Sequence, residues 1–430
     1  MKKISGRALS VILIAFLVIA GLSYFIYLDY TNGQGWAEYF SVYNAGAQGT
    51  IYDRDGVKLA RFNGSTSSFS QDALTRIANY HVTGDYWGRT GTGVLSRYWQ
   101  NTQSYSFVNG TTRVSNSVLD LTVSSDLNKK AYQLLNMNGK GCIMMTNYKT
   151  GEVLVMASYP SIDPADSDPD PEDGAYINRC LSAAYTPGST FKLVTAAAAI
   201  ENLSNLDSFS FFCEGEYDIA GVTISCTTAH GQENFAEALA NSCNCAFAKL
   251  TVALGQDTMV KYVSDYGFLS AQTLSDLPAV AGTYPTEFVG DPELAWSGIG
   301  QSTDTVCPYT LLRYVSSIAC GGEFSEPKLV KNQQTSYVSL VNPDTAAKMQ
   351  QLMRNNVITH YDGDVNFPGL ELCAKTGTAE TGDGTSHSWF VGFLQDDEHP
   401  YAFVSLVENG GYGLWTAGLM MNDLLQYAVK

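Results

Sequence analysis

Basic side chains are scarce in this chain: 25 Lys and Arg stand against 42 Asp and Glu in 430 residues, a net charge of −17. A nucleic-acid-binding surface displaces counterions from phosphates with clustered cations, so this balance argues against that class. Histidine is rarer still, with five residues. The nine cysteines, Cys142, Cys180, Cys213, Cys226, Cys243, Cys245, Cys307, Cys320 and Cys373, show no paired CxxC spacing, and no zinc site is expected from them. Cys213 and Cys226 bracket a short glycine-containing segment and read either as one disulfide or as buried free thiols. No internal repeat occurs. Charged residues are also few, 16% against 45% hydrophobic, which suits a large packed core and argues against extended disorder.

One apolar run is long. Residues 8–28 carry no charge and would span about 31 Å as a helix, close to the roughly 30 Å hydrocarbon core of a bilayer. Lys2, Lys3 and Arg7 precede the run and Asp29 follows it, so the N-terminus is expected in the cytoplasm and the rest outside. The apolar core of a cleaved signal peptide is only about 7–15 residues long. Ala45-Gly46-Ala47, the nearest cleavage-like tripeptide, lies too far downstream, so an uncleaved anchor is expected.

The remaining length calls for one sizeable domain plus a smaller one. Apolar runs flank Asp55-Gly56, predicting a hairpin, and the polar stretch that follows to about Asn116 reads as small and loop-rich. From Leu119 the pattern changes. A helix is predicted to end near Leu135, then a strand pair over 142–147 and 153–158, helices from Phe191 to about Leu254, strands over 370–378, 388–394 and 401–407, and a last helix over 418–428. Strands at both ends of a helical middle predict an α+β domain with an antiparallel sheet.

Three short motifs carry chemistry. Ser189-Thr190-Phe191-Lys192 stands where a loop enters an Ala-rich helix; at i and i+3 the Lys192 amine reaches the Ser189 hydroxyl, and a helix N-terminus offers free N–H groups to an oxyanion. A serine needs a base to become a nucleophile, and a lysine made neutral by burial or a second cation can be that base. Ser242-Cys243-Asn244 falls at a predicted helix break, where hydroxyl and amide side chains also serve as ordinary caps. Lys375-Thr376-Gly377-Thr378 ends a predicted strand; Gly377, lacking a side chain, would let a ligand backbone lie against the strand edge beside the Lys375 charge and the threonine hydroxyls.

The order SxxK, SxN, KTG over one domain is a known set, and with it the chain resembles the class B penicillin-binding proteins from about Gly49 to its end. Further matching phrases are Tyr52-Asp53-Arg54-Asp55-Gly56, Gly151-Glu152-Val153-Leu154, Gly298-Ile299-Gly300-Gln301 and Trp389-Phe390-Val391-Gly392-Phe393. Gln48 replaces an arginine common in the family, Ser302 stands where a second glycine is usual, and the N-terminal region is short. The resemblance implies residues 1–7 as a cytoplasmic tail, 8–28 as the anchor, 29–118 as a small β-rich, pedestal-like domain, and 119–430 as the transpeptidase domain with a helical subdomain.

It also implies the chemistry. Ser189 would attack the penultimate D-Ala carbonyl of a peptidoglycan stem peptide, and a neighbouring stem-peptide amine would resolve the acyl-enzyme. Lys192 would be the base, Ser242 would relay a proton, and Asn244 would orient substrate. Lys375, Thr376 and Thr378 would hold the carboxylate of substrate or of a β-lactam at the Gly377 edge, with the backbone N–H groups of Ser189 and Thr378 as oxyanion hole. No metal or organic cofactor and no nucleic acid are expected; a polytopic glycan polymerase in the cytoplasmic membrane is the expected partner. The alternatives left open are a hydrolase on the same scaffold, either a D,D-carboxypeptidase or a β-lactamase, and a non-catalytic β-lactam sensor. The spacing Glu237-x-x-x-Asn241, which a class A β-lactamase would carry downstream of the middle motif, occurs upstream of it and reads as chance.

Overall fold

A computed structural model of the chain describes residues 2–41, 48–63, 66–85, 87–95, 103–106, 110–113 and 117–430. The Ala45-Gly46-Ala47 tripeptide lies outside them. Helix α1 (Lys2–Ser41) contains the apolar stretch Ser5–Asn32, and every side chain from residue 5 to 27 is exposed. By length and composition this helix is long and apolar enough to cross a membrane.

Four strands form a small sheet. The predicted hairpin joins β1 (Gln48–Tyr52) to β2 (Lys58–Asn63); β3 (Thr66–Phe69) extends it beyond β2, and β4 (Ser117–Asp120) pairs parallel to β1. Asp53, 2% exposed, holds the turn by accepting from the N–H groups of Asp55 and Val57 at 2.9 and 2.8 Å. Its other oxygen accepts from the N–H and hydroxyl of Ser125 at 3.0 and 2.6 Å, which fastens the hairpin to the start of helix α2 (Ser125–Asn138).

The large domain is built on a five-stranded antiparallel sheet. Strands β5 (Gly141–Asn147), β6 (Val153–Tyr159), β7 (Leu372–Glu380), β8 (Ser386–Leu394) and β9 (Tyr401–Val407) lie in the order β7-β8-β9-β5-β6. Both faces are covered, so β5 and β6 are buried almost throughout instead of alternating. The period of two survives in what each side chain meets. Ile143, Met145, Phe390 and Phe403 pack with Leu134, Met421 and Leu424 of the terminal helices, whereas Met144, Val391 and Val404 face the helical middle of the chain.

That middle supplies α3 (Lys192–Asn202), α4 (Asn244–Leu254), α5 (Pro308–Ala319) and α6 (Pro343–His360); the last helix, α7 (Leu419–Ala428), covers the other face. One expectation fails here: residues 191–254 are not helical throughout. Ser210–Cys213 pairs with Gly231–Asn234, and Glu216–Ile219 pairs with Val222–Ser225. Ser210-Phe211-Phe212-Cys213 alternates exposed and buried, a period of two, and the positive φ of Gly215 and Gly221 turns the chain where a helix would have to continue.

Candidate active site

Ser189 lies in a tight turn, Gly188–Phe191, that runs directly into α3. The turn is fastened from three sides. Thr190 bonds back to the Pro187 carbonyl at 2.8 Å, the Gly188 N–H donates to the Gly300 carbonyl at 2.9 Å, and the Trp389 indole of β8 donates to the Thr186 carbonyl at 2.9 Å. Strand β7 presses against it so closely that a Cβ on Gly377 would stand 2.7 Å from the Thr190 methyl and 3.0 Å from the Pro187 oxygen. On that side the room that glycine leaves is filled by the Gly188–Phe191 turn. Ser302, at the position where the family usually has glycine, takes a positive φ of 73°.

Three residues on, at the start of α3, stands Lys192, fully buried while Ser189 remains half-exposed. Its Nζ lies 3.2 Å from Ser189 Oγ, 2.7 Å from Asn244 Oδ1, 3.3 Å from Ser242 Oγ, and in a short bond to the Ser242 carbonyl. Burial pushes the Lys192 pKa down to about 8, against the opposing pull of nearby Cys226, Cys243, Cys245 and Glu233. A neutral amine has two N–H bonds and one lone pair. The Ser242 carbonyl and Asn244 Oδ1 can only accept, so they take the two hydrogens and leave the lone pair for the Ser189 hydroxyl.

Ser242 sits between two lysines. Lys375 Nζ, also fully buried, donates to Ser242 Oγ at 2.9 Å and to the Thr376 carbonyl at 3.0 Å. Burial, aided by repulsion from Lys192, holds the Lys375 pKa well below its ordinary value. Ser242 adopts a φ of 55°, a left-handed conformation that costs a non-glycine residue on the order of 1–3 kcal/mol. It turns the chain between the helix Phe235–Ala240 and α4, so that Ser242 and Asn244 both face Lys192.

The chain thus brings Ser189, Lys192, Ser242, Asn244 and Lys375 into one hydrogen-bonded cluster. The threonines of the third motif sit at its edge. Thr378 Oγ1 accepts from the Gly413 N–H at 3.2 Å and keeps its own hydrogen to donate; Thr376 Oγ1 shares a bond of 3.2 Å with the Tyr361 hydroxyl. Tyr361 escapes a reading of the motifs. Buried at the end of α6, it also accepts from the Thr376 N–H at 3.1 Å, and burial pushes its pKa up to about 12, so the phenol stays protonated. Glu233, 1% exposed, is the second residue missed: it accepts from Asn241 at 2.6 Å, and its charge opposes the lowering of Lys192. Neither residue belongs to a motif, and only the fold brings them here.

Glu237 and Asn241, spaced like a deacylating pair, are otherwise engaged. Glu237 is exposed and closes a capping box with Asn234, and Asn241 bonds Glu233 and His360. Cys213 and Cys226 are free thiols, with Sγ atoms 3.8 Å apart. They are not alone: His230 and Cys243 stand beside them.

Comparison with known proteins bears on this cluster. The family model described as the penicillin binding protein transpeptidase domain matches residues 141–426. Stage V sporulation protein D of Bacillus subtilis is 32% identical over 290 residues, covering 61% of this chain and 44% of that protein. The peptidoglycan D,D-transpeptidase PbpA of Mycobacterium tuberculosis is 28% identical over 324 residues, 65% of this chain and 64% of that one. The chain therefore spans less than two thirds of the length of these relatives. In fold it matches the solved ceftriaxone acyl-enzyme complex of M. tuberculosis penicillin-binding protein A with a TM-score of 0.77 at 22% identity, over 91% of this chain and 100% of that one.

Proposed function

The chain belongs to the penicillin-binding protein transpeptidase family, and from that premise we propose that it is a peptidoglycan D,D-transpeptidase working through an acyl-enzyme on Ser189. The observation that carries the reading is the Lys192 amine, buried, lowered to about 8 and 3.2 Å from the Ser189 hydroxyl. Lys192 takes the hydroxyl proton as Ser189 Oγ attacks the penultimate D-Ala carbonyl. The proton reaches the leaving D-Ala nitrogen by way of Ser242, which both lysines touch. Asn244 orients the stem peptide, and Lys375 with Thr376 and Thr378 receives its carboxylate. The N–H groups of Ser189 and Thr378 face the oxyanion. A stem-peptide amine then displaces Ser189.

Residues 8–28 anchor the protein in the cytoplasmic membrane in this reading, with 1–7 inside the cell, 29–118 as a pedestal and 119–430 as the catalytic domain outside. A polytopic glycan polymerase is the partner proposed for the anchor and pedestal. The relatives named as transpeptidases, and the solved relative trapped as a β-lactam acyl-enzyme, support substrate and inhibitor class.

Two measurements test this. Given a stem-peptide thioester analogue and a D-amino acid, the detergent-solubilised chain is expected to form exchanged product in preference to hydrolysed acid, and a penicilloyl adduct is expected to outlast removal of free drug. Many penicillin turnovers per enzyme, or mostly acid with abundant acceptor, would replace this reading with the hydrolase. The second measurement is the pH dependence of acylation. Only neutral Lys192 can accept the proton, and its neutral fraction climbs nearly tenfold per pH unit below its pKa and levels off above it. The acylation rate is expected to rise through pH 7 and reach half its plateau near about 8. A flat profile across that interval would remove Lys192 as the base.

A further inference from the structure

Behind the middle motif, four donor atoms converge: the sulfurs of Cys213, Cys226 and Cys243 and a ring nitrogen of His230 all lie within 4.8 Å of one another. Cys226 Sγ is 3.8 Å from Cys213 Sγ and 3.8 Å from Cys243 Sγ. Four sulfurs about 2.3 Å from one zinc ion stand about 3.8 Å apart along the edges of a tetrahedron. The sulfur spacing is thus that of a coordination shell; a disulfide would bring two of them to about 2.0 Å. His230 Nδ1 is a buried atom without a hydrogen-bond partner, a cost normally avoided unless the lone pair has another use.

The sulfurs are held in place by the backbone. Cys226 Sγ accepts from the N–H groups of Asn244 and Cys245 at 3.2 and 3.4 Å, and Cys243, the N-cap of α4, accepts from the Ala246 N–H at 3.4 Å. The insertion that carries three of the donors also needs a staple. It consists of two two-stranded pairs whose strands Glu216–Ile219 and Val222–Ser225 are largely exposed, and such pairs are marginal alone.

We propose that Cys213, Cys226, His230 and Cys243 bind one zinc ion as a closed structural site. The three thiols give up their protons on binding, and all four positions are filled by protein, leaving none for a catalytic water. The ion clips the ends of both strand pairs to the N-terminus of α4. Cys243 lies between Ser242 and Asn244, both bonded to Lys192, so the metal also holds the middle motif in place. Cys245, whose thiol bonds Cys226 at 3.4 Å and the Ile224 carbonyl at 3.4 Å, stands outside the shell as a support.

The test is elemental analysis of the full chain purified in detergent without chelator, together with alkylation mapping of its thiols. About one zinc per chain is expected, with Cys213, Cys226 and Cys243 resisting alkylation until a chelator is added. His230→Ala and Cys213→Ser should lower the zinc content at least tenfold, and Cys245→Ser should retain it; cobalt(II) exchanged into the wild-type chain should show tetrahedral visible absorption. A wild-type chain free of metal, or a Cys213 to Cys226 disulfide by mass spectrometry, would overturn the site, and zinc lost in Cys245→Ser but kept in His230→Ala would overturn the ligand set. These readouts need no turnover, so they stand apart from the outcome for transpeptidation.

Discussion

Ser189→Ala is expected to abolish covalent labelling by fluorescent penicillin, and peptide mapping of the labelled wild-type chain should place the adduct on Ser189. The strained β-lactam amide mimics the D-Ala-D-Ala bond, so the group that attacks one attacks the other. The competing hydroxyl is Ser242, which also lies within bonding distance of Lys192, at 3.3 Å, and of Lys375, at 2.9 Å. Two differences favour Ser189. It stands in the turn entering α3, where free N–H groups can meet a developing oxyanion, and the lone pair left to Lys192 after its two acceptors are served points to it. Label on Ser242, or undiminished label on Ser189→Ala, would reassign the nucleophile.

Replacing Lys192 should lower the acylation rate by roughly 10²- to 10⁴-fold, the usual worth of a positioned general base. The lowered pKa says why a lysine can serve. At pH 7.5 a lysine with a pKa of about 8 is about one quarter neutral, whereas an unshifted one is neutral about once in a thousand molecules. Lys192→Ala removes the base, and Lys192→Arg keeps a positive charge that cannot be given up at any usable pH. Both should fall together if Lys192 takes a proton. If its charge alone mattered, Lys192→Arg would hold its rate within tenfold of wild type while Lys192→Ala lost it. Stopped-flow acylation separates the two, and the thermal midpoint of each variant checks that changing a buried side chain bonded to Ser242 and Asn244 has not cost the fold.

The three motifs were legible because each depends on local spacing. A serine and a lysine three residues apart on a helix meet whatever surrounds them, and the sheet strands showed their length through runs of apolar residues. Strand 401–407 agrees to the residue with the observed one, and 388–394 lacks only its first two residues, Ser386 and His387. The long apolar helix was equally plain, since residues 8–28 carry no charge to interrupt it. Residues 210–234 hide their strands because short exposed strands carry too few apolar side chains to show their period, and Gly215, Gly221 and Gly231 are the local warning.

Sequence by itself determined that Ser189 meets Lys192, the order of the three motifs and the α+β plan, because helix periodicity and strand alternation act over a few residues. Tertiary structure alone decided what surrounds them. The Lys192 shift comes from burial under residues 50 and more positions away, Tyr361 reaches Thr376 from the end of another helix, and Gly377 turns out to make room for Thr190. The sharpest case is the sulfur cluster. Spacings of 13 and 17 residues between Cys213, Cys226 and Cys243 match no short motif, yet two strand pairs and a helix N-terminus bring the thiols and His230 within 4.8 Å. A coordination shell is set by distance in space, and only the packing of elements distant in sequence fixes that.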